Sequence, residues 1–216
     1  MVQSNRDEVL HRVLREQIVA IIRLRGAADL VAVAEALLAG GITLFEFTAT
    51  TPGAMEAIVQ CRARFGDNAL IGMGTVLDAA TARQATTAGA QFLISPVWQR
   101  EVIEAAHASS ALAIPGALVP QDIVAATEAG ADIVKVFPAR VFGPQYIADL
   151  LAPLPHLRLM PTGGVSAENV PAYLRAGAVA VALGGSLVDE ALVAARDWRA
   201  LTRRARAVVE AVHPPQ

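Results

Sequence analysis

Short apolar runs rich in valine and isoleucine alternate along the whole chain with longer alanine- and leucine-rich stretches of helical period. The runs at 18–23, 44–49, 69–76, 91–96, 111–115, 133–138, 157–161 and 179–184 have the length of strands. They are apolar almost throughout, where a half-exposed strand would alternate. That is the pattern of parallel strands buried on both faces. Between them, 28–39, 52–64, 78–88, 99–108, 120–129, 145–151 and 167–176 read as helices. A short helix over about 7–16 precedes the first strand, and a single final helix is expected from about 190 to 212. Gly40, Gly41, Gly89, Gly130 and Gly177 fall where helices should stop before the next strand.

Eight such units in strict alternation predict a (β/α)8 TIM barrel with an N-terminal helix, as a single domain over 1–216. An open doubly wound sheet would want a GxGxxG turn after the first strand, and none is there.

Composition narrows the function classes. Apolar residues make up 54% and charged ones 18%, with a net charge of −2. No basic face follows from that balance, so nucleic acid and anionic membrane are poor partners. Cys61 is the single cysteine, which excludes an internal disulfide, and the four histidines lack ligand spacing. No metal or cofactor is expected. The opening residues mix charged and apolar positions without a signal core, and no apolar run approaches the ~18 residues of a membrane span. A cytoplasmic protein acting on a small molecule is the expectation.

Of the 18 basic residues, 17 are arginine and one is lysine, Lys135. A chain that prefers arginine this strongly keeps a lysine where arginine will not serve. Lys135 lies in Ile-Val-Lys-Val-Phe-Pro, in the sixth run. Alternation puts Ile133, Lys135 and Phe137 on one face, read as the barrel interior. Burial lowers an ammonium pKa, and the neutral amine is the nucleophile of Schiff-base chemistry. A lysine reaching outward to solvent, or a structural ion pair, is the alternative. Glu46, in Leu-Phe-Glu-Phe-Thr, falls on the interior face of the second run with Thr48. A carboxyl group there needs a partner or a raised pKa, and with a raised pKa it can move protons near neutral pH. A structural pair with Lys135 or an arginine is the alternative.

Two glycine pairs mark an anion site. Pro161-Thr162-Gly163-Gly164 follows the seventh run and Gly184-Gly185-Ser186 the eighth, the two loops where barrels often hold phosphate, beside a helix start. Plain turn glycines are the alternative. Thr75 ends the third run, Pro96 the fourth and Arg23 the first; Arg23 is a candidate anion ligand or a solvated surface group.

The phrases "AGGITLFEFTATTPGA", "IGMGTVLDAATARQATTAGAQFLISP", "AIPGALVP", "VKVFPA", "MPTGGVSAENV" and "VALGGSLV" occur in this order across nearly the whole chain. Together they resemble the 2-keto-3-deoxy-6-phosphogluconate (KDPG) aldolases, also called 2-keto-4-hydroxyglutarate aldolases. The resemblance implies a homotrimeric class I aldolase on a (β/α)8 barrel. It places the Schiff-base lysine at Lys135 and the acid/base at Glu46. Substrate contacts fall on Thr75, Pro96 and Phe137, and phosphate contacts on Thr162, Gly163, Gly164, Gly184, Gly185 and Ser186.

One position departs from the family pattern. The family carries an arginine four residues after the glutamate, and Thr50 stands there in this chain. Threonine cannot form a bidentate carboxylate clamp. The related 6-phosphogalactonate aldolases also lack that arginine, and "AIIR" at 20–23 and "FGPQYI" at 142–147 are similar to them. Arg23 is the candidate substitute. The expected reaction is cleavage of a 2-keto-3-deoxy-6-phospho-sugar acid to pyruvate and glyceraldehyde 3-phosphate, with 4-hydroxy-2-oxoglutarate as a further substrate. The alternatives are a galactonate-type aldolase, another phosphate-binding barrel enzyme, or a non-catalytic barrel that binds phosphorylated ligands.

Overall fold

Every expected strand run contains a strand. A computed structural model describes residues 5–26 and 28–214. The strands are β1 (Ile18–Ile22), β2 (Leu44–Thr48), β3 (Leu70–Gly74), β4 (Phe92–Ile94), β5 (Leu112–Ile114), β6 (Gly116–Ala117), β7 (Val134–Val136), β8 (Leu159–Pro161) and β9 (Val181–Leu183). The helices are α1 (Asn5–Glu16), α2 (Leu30–Ala39), α3 (Ala54–Phe65), α4 (Ala79–Thr87), α5 (Arg100–Ala108), α6 (Pro120–Glu128), α7 (Pro144–Leu151), α8 (Val170–Arg175), α9 (Glu190–Ala194) and α10 (Trp198–Val212).

All strand pairs are parallel. Six strands form one sheet in the order β5-β4-β3-β2-β1-β9, and three form a second in the order β6-β7-β8. The extra strand arises just past Pro115, which lacks an N–H and ends the fifth run. β5 then pairs with β4, while β6 pairs with β7. A parallel bridge between Thr162 and Ala182 links the edge of the small sheet to β9. The result is an α/β fold built on a curled parallel sheet.

The curl divides the apolar residues between two faces. Ile21, Leu44, Leu70, Phe92, Ile114, Ile133 and Met160 meet on the inner face. Ile22, Phe45, Phe47, Met73, Leu93, Val134 and Val136 point outward to the helices. Val9 and Val13 of α1 join the inner cluster, so α1 covers one end of the sheet. Arg12 of α1 donates to Asp67 O (2.6 Å) and Asn68 O (2.7 Å) just before β3, fixing α1 at the N-terminal ends of the strands. The opposite, C-terminal ends stay open.

The single final helix is corrected to two. Arg196 takes φ 53° and breaks the run. Asp197 then caps α10 by accepting from Ala200 N at 3.0 Å. Helix α8 likewise starts later than expected, after a turn in which Ser166 N donates to Asn169 Oδ1 at 2.9 Å. Among the described residues no helix is long and apolar enough to cross a membrane.

Candidate active site

Lys135 sits mid-strand in β7, level with Gly116 of β6 and Met160 of β8. Met160 and Ile133 belong to the inner cluster, so the lysine points inward, as strand alternation predicts. It is 2% exposed. Its Nζ lies 5.2 Å from the centroid of the Phe137 ring. Burial is the main force on this amine and pushes its pKa below the ordinary 10.5; Glu46 works against that and Arg23 adds to it.

Glu46 of β2 is level with Ile21 of β1 and Gly72 of β3. It shares the inner face with Lys135 and is fully buried. Neither carboxyl oxygen has a hydrogen-bond partner. A side chain at Gly74 would overlap Glu46 Oε1, so the carboxyl group occupies space that only glycine leaves open. Burial raises its pKa, while the charges of Lys135 and Arg23 pull it down. A buried carboxyl with two orphan oxygens needs a functional explanation. Its oxygens are free to meet a water or a bound ligand.

The C-terminal ends of β1 and β2 are tied together by threonines. Thr51 Oγ1 contacts Thr48 Oγ1 at 2.9 Å, donates to Ile22 O at 3.3 Å, and accepts from Leu24 N at 3.1 Å. This brackets Arg23 between two anchored residues. Thr51 carries no signal in the sequence beyond standing as a second threonine beside Thr50. Thr50 itself is exposed, with its hydroxyl 3.2 Å from Thr48 Oγ1.

Above Lys135 opens a cavity of about 690 Å³. Its walls bring together Lys135, Phe137 and Arg23 with the two glycine pairs and Arg25, Arg140, Asp189 and Glu190. Gly163 and Gly164 have φ 87° and 85°, a backbone that side chains rarely adopt. A Cβ at Gly163 would press on the Phe137 ring at 3.2 Å, so the turn lies directly on the residue beside Lys135. Ser186 Oγ donates to Val165 O at 2.7 Å and fastens one glycine loop to the other. Among the described residues no chain acceptor faces the amides of Gly164, Gly185 or Ser186. Open space lies in front of Gly185. Free amides in a cavity suit an oxyanion. The expected helix start is absent from this cradle, because α8 begins six residues beyond Gly164; loop amides stand in its place.

Thr75 and Pro96 lie at the same end of the sheet but outside this cavity lining. Thr75 follows Gly74 with φ 60°, unfavourable for a β-branched residue. The carbonyl of Pro96 fills the space a side chain at Gly116 would need, and Gly116 is level with Lys135. The Phe137–Pro138 peptide is cis. Cys61 is buried and its thiol is pushed up to about 12, so it is a poor nucleophile. Among the described residues no cluster of three or more histidine, cysteine or acidic side chains is placed to hold a metal. The assembled groups are a desolvated amine, a buried carboxyl group with a raised pKa and a row of unpaired amides, a set that suits imine chemistry on a small ketone with an anionic tail.

Residues 9–204 match the family model described as KDPG and KHG aldolase. The chain is 34% identical to a 2-dehydro-3-deoxy-phosphogluconate aldolase of Treponema pallidum, over 95% of this chain and 96% of that protein. It is also 34% identical to the KHG/KDPG aldolase of Escherichia coli K12, over 89% and 91%. Among solved structures, the KDPG aldolase of Legionella pneumophila, with pyruvate captured as a covalent carbinolamine, superimposes with a TM-score of 0.84 at 30% identity, covering 92% of this chain and 97% of that one. A native KDPGal structure gives 0.83 at 31% identity, covering 90% and 93%.

Proposed function

Because the chain belongs to the KDPG and KHG aldolase family, we propose that it is a class I aldolase whose Lys135 forms an imine with a 2-keto-3-deoxy-6-phospho-sugar acid. The observation that carries this reading is the shared inner face: a buried amine whose pKa is lowered and a buried carboxyl group whose pKa is raised, with an anion-binding cavity above the amine.

Lys135 attacks the C2 ketone as a neutral amine, giving a carbinolamine. Glu46, through a water, delivers the proton with which the hydroxyl leaves as water, and an iminium forms. Glu46 or that water then takes the C4 hydroxyl proton. The C3–C4 bond breaks, its electrons pass to the iminium to give an enamine, and glyceraldehyde 3-phosphate departs. Glu46 returns the proton to C3, and water hydrolyses the imine to release pyruvate and the free amine. The protonated imine is the electron sink, so this sequence calls on no metal. The amides of Gly163, Gly164, Gly184, Gly185 and Ser186, with Thr162, hold the phosphate. Thr75, Pro96 and Phe137 shape the pyruvoyl end. Arg23 holds the carboxylate in place of the family arginine that Thr50 replaces.

The same reading takes the two sheets as one closed (β/α)8 barrel, with β5 and β6 as a single strand interrupted at Pro115 and the Thr162–Ala182 bridge as the seam. It also takes the protein as a cytoplasmic homotrimer. A galactonate-type substrate has one specific point in its favour, the absence of the arginine at Thr50. A pyruvate-release assay with the phosphogluconate-derived, phosphogalactonate-derived and 4-hydroxy-2-oxoglutarate substrates tests the assignment. The highest kcat/KM is expected for the gluconate compound. A galactonate preference would reassign the substrate, and no release from any of the three would overturn the aldolase reading.

A further inference from the structure

We propose that Arg140 is a side-chain ligand for the phosphate end of the substrate and sets this enzyme's preference for phosphorylated over unphosphorylated 2-keto acids. The inference rests on the aldolase reading and extends it to a residue outside the glycine cradle. Arg140 is fixed to that cradle at two points. Its backbone N–H donates to Gly163 O at 2.9 Å. Its stem also lies against Gly164, where an added side chain would overlap the Arg140 Cβ. The residue lines the same cavity as Lys135, Gly185 and Ser186.

Charge in the cavity singles Arg140 out. The two acidic residues of the wall are already engaged: Asp189 pairs with Arg204 at 3.2 Å, and Glu190 lies 4.0 Å from Arg25. Among the described residues no carboxylate pairs with Arg140 or Arg23. Arg23 and Arg140 both line the cavity, and Arg140 packs on Gly163 and Gly164. A cavity with two guanidiniums free of carboxylate partners suits a substrate that carries two anionic groups. Loop amides offer only partial charges to a phosphate dianion. A guanidinium adds a full charge and a two-pronged donor geometry.

The test compares 2-keto-3-deoxy-6-phosphogluconate with its unphosphorylated counterpart in the wild-type protein, Arg140→Ala and Arg140→Lys. Losing one charge-assisted contact to phosphate should lower the phosphorylated-to-unphosphorylated ratio of kcat/KM by about ten- to a hundredfold in Arg140→Ala, mostly through KM. Arg140→Lys should keep part of the preference. Inorganic phosphate should inhibit Arg140→Ala correspondingly more weakly. An unchanged ratio, or an equal loss on both substrates, would overturn the role of Arg140. Wild-type protein that releases no pyruvate from either compound would instead defeat the aldolase reading beneath it.

Discussion

The Glu46 carboxyl group lies against the Cα of Gly74, in space that any side chain at Gly74 would take away. The two residues sit on adjacent strands, two positions apart in register, since Glu46 is level with Gly72. The glycine therefore fixes where the carboxyl group sits. In Gly74→Ala the carboxyl group must swing aside or the strands must part. A displacement of about 1 Å at a catalytic group costs on the order of a hundredfold. Steady-state cleavage should show that loss in kcat, with circular dichroism unchanged.

Lys135 and Glu46 are both polar groups placed where an apolar core would be more stable. Lys135→Met should abolish cleavage and raise stability by about 1–2 kcal/mol at neutral pH, as expected where function is traded against folding. Thermal unfolding beside a pyruvate-release assay checks both. A variant that is inactive and markedly less stable would mean that the amine serves the fold.

The pH dependence of stability carries opposite signs at these two residues. Lys135 titrates below 10.5 in the folded state. Between its folded pKa and 10.5 the unfolded chain binds more protons, so this residue makes stability rise with pH. Glu46 titrates above its ordinary 4.5. Between 4.5 and its folded pKa the folded chain binds more protons, so this residue makes stability fall as pH rises. Urea midpoints measured across pH should lose the rising component in Lys135→Met and the falling component in Glu46→Gln.

The strand runs, their inner and outer faces and the inward direction of Lys135 and Glu46 were legible in the sequence, because parallel strands buried on both faces leave an unbroken apolar signature and a side-chain period of two. β6 was hidden because Gly116 and Ala117, just past the end of the fifth run at Pro115, carry no strand signature of their own. The split between α9 and α10 was marked by Asp197, a capping residue, yet the helical period continues across it. The restriction at Gly74 was invisible, since a glycine required by a neighbour two strand positions away in register looks like any turn glycine. Arg140 was passed over because arginine is so common in this chain that one more carries no signal; only its fixed position against Gly163 and Gly164 separates it from the rest.

Arg23 is exposed at the rim, yet its charge acts on both buried groups. It lowers the pKa of each. Arg23→Gln should therefore move the acidic limb of the imine-forming rate to higher pH, because the Lys135 amine then loses its proton later. The shift should shrink as salt is added, since the guanidinium is solvated. Rates of pyruvate trapping against pH at two ionic strengths check this, and an unmoved limb would show that Arg23 acts by binding alone.

Thr75 holds φ 60°. A β-branched residue in that region stores about 1–3 kcal/mol of strain. Thr75→Gly should therefore stabilise the fold by about 1 kcal/mol. Its kcat/KM should fall, because a hydroxyl proposed to contact the pyruvoyl end of the substrate is gone. A gain in stability without any loss of activity would remove Thr75 from the site.

Borohydride reduction in the presence of pyruvate, followed by peptide mass mapping, reaches the central chemistry most directly. The expected product is a stable pyruvate-derived adduct on Lys135, formed in the wild-type protein and absent in Lys135→Met. Cleavage that proceeds with no adduct on Lys135, or that survives in Lys135→Met, would contradict the imine mechanism.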